Sequence, residues 1–144
     1  MDAVDLSIIR ILKGNARATS SEISKTVHLS VPAVSERIRK LEEKGLISGY
    51  TLRMNREKLG LKLVAFIFVT LEGTADTQVF REAVMQQECV YECHHIAGSY
   101  DYLIKVVLED TRALEEFISI ALRNKLKVSR TNTNIVLSTL KEEL

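Results

Sequence analysis

Apolar positions along the chain keep a helical interval as far as about residue 45 and change period after residue 60. Val4, Ile8, Ile11 and Leu12 stand at i, i+4, i+7 and i+8 and predict a helix over 4–13, closed by Gly14-Asn15. Thr19-Ser20-Ser21-Glu22 has the form of a capping box and opens a second, short helix with Ile23 and Val27 inward. His28-Leu29-Ser30 predicts a tight break. Ser30 is a good N-cap for a third helix, and Pro32, the only proline, sits in the first turn, where its missing N–H costs nothing. That helix is expected to reach Lys44, with Gly45 as the stop. Residues 46–54 predict a short strand or hairpin around Ser48-Gly49, and 55–60 a linker.

Beyond this point the alternation is that of strands. Leu63, Ala65, Ile67 and Val69 form one face and Val64, Phe66 and Phe68 the other, so the strand over 61–73 is apolar on both sides. Helical spacing returns over 75–87 with Val79, Phe80, Ala83 and Val84. Strands follow at 89–97 and 102–108 around a turn at 98–101. Asp110 caps a helix carrying Leu114, Phe117, Ile118, Ala121 and Leu122, and 130–140 makes a last strand. The order βαββαβ is that of a ferredoxin-like sandwich with two helices over one sheet face. The fold class is α+β. The division is a helical unit at 1–50, a strand or hinge at 51–61, and the βαββαβ unit at 62–144. A bare face presenting Val64, Phe66 and Phe68 together marks an interface, and sheet-to-sheet homodimerisation covers it most simply.

The first three helices, with a tight turn between the second and third, have helix-turn-helix spacing. At about 100° per residue, Val34, Ile38 and Leu41 of the third helix share one side. Pro32, Glu36, Arg39, Lys40 and Glu43 fall opposite, with Ser35 and Arg37 on the flanks. Laid in a major groove, such a helix directs Ser30, Val31, Pro32, Ser35 and Glu36 toward base edges, and Arg37, Arg39 and Lys40 toward bases or phosphates. An ordinary solvated helix shows the same exposed charges. The order helix, short helix, tight turn, helix favours duplex DNA as the partner.

Composition narrows the classes further. The chain has 144 residues, 46% apolar and 27% charged, as in a globular protein. No apolar run approaches the ~18 residues of a membrane span, and acids stand where a secretion signal carries cations. A cytoplasmic, nucleoid-associated location is expected, with no membrane partner. Net charge is only +1 but uneven. Residues 1–60 hold eleven Lys and Arg against seven Asp and Glu, and 61–144 hold nine against twelve.

Cys89, Cys93, His94 and His95 invite a metal reading. On a regular strand Cys89, Tyr91, Cys93 and His95 share a face and His94 points away, and the spacing is not that of zinc ligands. A packing role is expected, and no metal or cofactor. No phosphate-loop pattern, nucleophile elbow or H-E-x-x-H is present, and His28 reads as a turn residue, so no enzyme is expected.

The run from Asp5 to Gly60, in particular "LSVPAVSERIRKLEEKGLI", and the later "IAGSYDYLIKV" resemble the leucine-responsive regulatory protein/AsnC (Lrp/AsnC) family, most nearly its LrpC-type branch. The resemblance covers essentially the whole chain. It implies a transcriptional regulator with a winged helix-turn-helix and a C-terminal RAM/ACT-like βαββαβ domain. It also implies homodimers assembling to tetramers or octamers, and an amino acid as effector near Gly98, Ser99, Tyr100 and Asp101. Asp101 matches the family's acid, whereas Ser99 stands where an Asp is common. Weak or absent response to amino acids is therefore expected. Two other readings stay open: an architectural DNA-bending protein with little effector response, and an amino-acid-sensing ACT-like module without DNA binding.

Overall fold

The computed structural model describes residues 1–73 and 76–142, and its chain divides into two compact units, Met1–Met54 and Asn55–Leu144. In the first, α1 spans Ala3–Gly14, α2 Ser20–Val27 and α3 Val31–Glu43. Each start is capped by the chemistry of its sequence. Asp2 and Asp5 form a capping box at α1, Thr19 and Glu22 a second at α2, and the Ser30 hydroxyl accepts from Ala33 N at α3. His28 ends α2 in the left-handed region at φ 56°, which an L-residue adopts at a cost of roughly 1–2 kcal/mol. That reversal lets α3 start three residues later. Ile8, Leu12, Ile23, Val34 and Leu41 close over one another as the core of this unit, with Ile38 packed at its edge.

Residues 46–54 differ from expectation: among the described residues they form no strand. A strand needs a neighbour to satisfy its backbone, and none lies within this unit. Ile47 packs against the core of this unit, and the Tyr50 hydroxyl donates to Glu42 Oε1 at 2.8 Å. Residues 51–61 straddle the division between units. The expected linker at 55–60 contains one 3₁₀ turn, Glu57–Leu59, closed by Gly60 at φ 83°.

In the second unit β1 runs Leu63–Leu71, α4 Thr77–Met85, β2 Val90–His95, β3 Tyr102–Leu108, α5 Thr111–Glu116 and β4 Val128–Ile135. The strands form one antiparallel sheet in the order β2-β3-β1-β4. Position 75, the expected start of α4, lies outside the described residues. After α5 the helix widens over Phe117–Lys125 to π geometry, as in the 3.1 Å bond from Leu126 N to Ala121 O. The last strand starts two residues earlier than expected and stops at Ile135, so 136–140 are not strand. Leu63, Ala65, Ile67 and Val69 are buried against Phe80, Val84, Leu114 and Leu122. Val64, Phe66 and Phe68 are half-buried on the opposite face. A groove of about 450 Å³ there is lined by Val64, Phe66, Lys105 and residues of 136–142.

Strand β2 corrects the alternation over 89–95. A bulge between Val90 and Glu92 takes Tyr91 out of step. Val90, Cys93 and His95 lie opposite Val106, Ile104 and Tyr102 on the helix-covered face. Burial pushes both thiols above their ordinary pKa, which disfavours the thiolate that a metal needs. Among the described residues no three His, Cys, Asp or Glu are grouped to hold a metal ion.

Candidate nucleic-acid interface and effector turn

The outer arc of α3 carries Pro32, Glu36, Arg39, Lys40 and Glu43, all exposed, with Ser30, Val31 and Ser35 exposed at its N-terminal end. Ser30 is occupied as the cap, and Ser35 Oγ bonds Ser20 Oγ at 2.9 Å, tying α3 to α2. The cations are not free. Arg39 holds Glu36 with two bonds, Nε–Oε2 at 2.9 Å and Nη2–Oε1 at 2.7 Å, and reaches Glu43 with Nη1. Lys40 Nζ lies 3.4 Å from Glu36 Oε1. The Arg39 guanidinium, with help from Lys40, holds the Glu36 carboxyl down at about 2. Glu36 therefore stays ionised and paired across pH 5–8. Exposed pairs of this kind contribute only about 0–1 kcal/mol, so a phosphate can take either cation from its carboxylate.

Arg37 is placed differently. It leaves the arc and turns toward α1, where its Nη1 donates to Asp2 Oδ2 at 2.8 Å and Asp5 Oδ1 at 2.7 Å. By its place on the helix it is expected among the DNA-facing cations. The wheel put Arg37 on a flank but said nothing of the acids at the start of α1, 35 and 32 residues away. The capping N–H groups first, and Arg37 second, hold Asp2 and Asp5 below their ordinary pKa. Their contribution to stability is complete above the unfolded Asp value of about 3.9 and is lost as pH falls through it toward the lower folded values. We expect the first unit to lose helical ellipticity and thermal stability between about pH 5 and pH 3. The Asp2→Asn/Asp5→Asn protein should show a smaller acid decrement over that range in thermal circular dichroism.

In the second unit the 98–101 turn is held by two strands, β1 and β4. Asp101 N donates to Val69 O at 2.9 Å, and Leu71 N donates to Asp101 Oδ2 at 2.9 Å, so β1 holds both the backbone and one carboxylate oxygen. From β4, Arg130 Nη2 donates to Ser99 O at 2.8 Å while its guanidinium lies 4.6 Å from the Tyr100 ring centroid. The Phe68 ring also packs against Tyr100, with centroids 5.4 Å apart. Arg130 and Leu71 were not singled out from the sequence. A cation in the polar run Arg130–Asn134 was the available signal, but only the pairing of Arg130 opposite Thr70 brings it to the turn. Gly98 and the Ser99 side chain are exposed, and among the described residues no hydrogen bond reaches Asp101 Oδ1.

A further charged chain crosses the open sheet face. Arg56 meets Glu142 at 3.0 Å, Glu142 meets Lys105 at 2.6 Å, Lys105 meets Glu92 at 2.9 Å, and Glu92 meets His94 at 3.3 Å. It fastens residues 136–142 beside Phe66, and no sequence signal announced it.

Comparison with known proteins accounts for both units. Residues 1–48 match the family described as winged helix-turn-helix DNA-binding, and residues 64–144 match the Lrp/AsnC ligand binding domain. The chain is 34% identical to the leucine-responsive regulatory protein of Escherichia coli, over 99% of this chain and 88% of that one. A transcriptional regulator of Neisseria meningitidis, solved as an L-methionine complex, superposes with a TM-score of 0.95 at 28% identity, covering 99% and 94% of the two chains. Bacillus subtilis LrpC superposes at 0.89 with 31% identity, covering 99% of each.

Proposed function

The chain belongs to the Lrp/AsnC family of DNA-binding transcriptional regulators, and on that premise we propose how its residues divide the work. The exposed arc of α3 enters the major groove. Ser30, Val31, Pro32, Ser35 and Glu36 face base edges, and Arg39 and Lys40 exchange their carboxylate partners for phosphates. The observation that carries this reading is the arc itself: two cations held only by weak intrahelical pairs on the outer side of a capped helix. The protein acts as a homodimer joined through Val64, Phe66 and Phe68, with dimers assembling to tetramers or octamers, in the cytoplasm on the nucleoid. A dimer places two α3 helices for two half-sites, and an operator with half-sites about one helical turn apart follows. Footprinting across genomic DNA around the protein's own gene tests this, with and without pooled amino acids. Uniform coverage with no protected, spaced half-sites would overturn sequence-selective binding.

The 98–101 turn is the effector site in this reading. Support comes from the Asp101 oxygen left free and from the L-methionine complex of a relative. Ser99 supplies a hydroxyl where a second carboxylate is common in relatives. A charge-assisted bond is about twice as strong as a neutral one, so the exchange costs about 1 kcal/mol, or about fivefold to tenfold in affinity. Calorimetry with single amino acids, methionine and leucine first, should find weak binding or none, with DNA binding persisting in their absence. A micromolar constant, lost in Asp101→Asn, would show that the turn is a full effector switch. Asn keeps an acceptor for Leu71 N, so the loss would report charge rather than a broken turn.

A further inference from the structure

The capping box of α1 uses only half of its carboxylate oxygens. Asp5 N donates to Asp2 Oδ1 at 2.8 Å, and Asp2 N donates to Asp5 Oδ2 at 3.0 Å. Each acid thus keeps one outward oxygen, and both outward oxygens meet the same nitrogen, Nη1 of Arg37. The cap holds the acids rigid before the guanidinium arrives, so little further ordering is needed to bind it. Arg37 is also shielded in a way its neighbours are not. Its side chain is 32% exposed against 55% for Arg39 and 57% for Lys40. Arg39 and Lys40 pair within α3, whereas Arg37 pairs across to α1.

These helices also meet through aliphatic side chains, Ile8, Leu12, Val34 and Leu41. Aliphatic packing is non-directional, and small rotations of α3 about its own axis cost it little. An ionic bond to two fixed oxygens is directional. Arg37 lies on α3 three residues from Val34 and four from Leu41, so it fixes rotation beside the buried stripe.

We infer that Arg37 is a positioning residue of the recognition helix: anchored by the Asp2–Asp5 capping box, it sets the rotation at which Ser35, Glu36, Arg39 and Lys40 are offered to the bases. This rests on α3 being the recognition helix. Arg37 itself contacts no phosphate. Moving to one would leave Asp2 and Asp5 unpaired next to a polyanion.

Charge and position predict opposite outcomes for one variant. Asp2→Asn/Asp5→Asn removes two negative charges near the DNA while keeping side chains that cap a helix. If charge alone mattered, the variant would bind all duplexes more tightly. A positioning role predicts that affinity for a duplex selected from random sequence by the wild-type protein falls roughly tenfold relative to an unselected duplex, about the effect of one mismatched base pair. Arg37→Ala should show the same loss of discrimination with an unchanged log–log salt slope, and Arg37→Lys should restore part of it. Equal or better discrimination in the double Asn variant would overturn the inference. So would a slope flattened by about 0.9 in Arg37→Ala, the mark of a phosphate ligand. Should Arg37→Ala lose helical ellipticity, the double Asn variant and Arg37→Lys decide. One measurement does not depend on DNA. In the free wild-type protein the Arg37 guanidinium protons should exchange slowly by NMR, and in the double Asn variant rapidly. Rapid exchange in the wild type would overturn the clamp even if selected duplexes bind. Failure of the wild type to select any sequence, with slow exchange intact, would count against the recognition-helix reading and against the positioning role with it, while leaving the clamp as a structural bond.

Discussion

Arg39→Ala combined with Lys40→Ala should weaken duplex binding on the order of fiftyfold at 0.1 M salt and flatten the log–log salt slope by about 1.8, or 0.9 for each phosphate contact. The magnitude follows from counterion release: each lost contact removes nearly one power of the salt concentration. The helix should survive, since both side chains are exposed and their partners Glu36 and Glu43 lie on the same helix. Those partners give the prediction a second sign. Glu36→Gln with Glu43→Gln frees the cations and removes two charges that repel the backbone, so unselected duplexes should bind more tightly. Titrations by fluorescence anisotropy at four salt concentrations read both effects. A folded Arg39→Ala/Lys40→Ala protein with unchanged affinity and slope would remove α3 as the phosphate-binding helix.

Phe66→Asp should separate the protomers. Phe66 stands on the open sheet face between Lys105 of β3 and Asn134 of β4, half-buried within one chain. One protomer tolerates a carboxylate there, because water reaches it. A closed sheet-to-sheet interface does not, and an uncompensated buried charge costs about 3–5 kcal/mol. At the middle of that range the dimer dissociation constant rises by about a thousandfold. Size-exclusion chromatography with light scattering should give the protomer mass at micromolar concentration with native ellipticity. Binding to a two-half-site duplex should fall together with the dimer. Phe68→Asp is the less clean test, since Phe68 also supports Tyr100 and with it the 98–101 turn. Wild-type protein that runs as a monomer at the same concentration would dispose of the interface altogether.

Much of this arrangement was legible along the chain because its causes are local. Capping boxes operate over three residues, proline acts on its own turn, and the inward stripe of α3 repeats at the helical period; each determined an element where it lies. The order of strands and helices in the second half likewise required only periodicity, and with it came the βαββαβ sandwich and its bare face at Val64, Phe66 and Phe68. The double apolar alternation of β1 was enough to mark that face.

What sequence could not decide shares one physical property: the partners are far apart in the chain. Arg37 pairs with Asp2 and Asp5 because folding brings the start of α1 beside it. Arg130 reaches Ser99 and Tyr100 only because β4 pairs on β1 next to the turn. The bulge in β2 moves Tyr91 out of line because register is set by β3, not by β2 itself. Residues 46–54 have strand-like composition and no strand, because a strand is completed by its neighbour and this unit contains none. Charge type is written in a residue, but whether that charge is spent on the fold or offered to a ligand depends on what folding brings within about 3 Å of it, and that is a property of the tertiary structure alone.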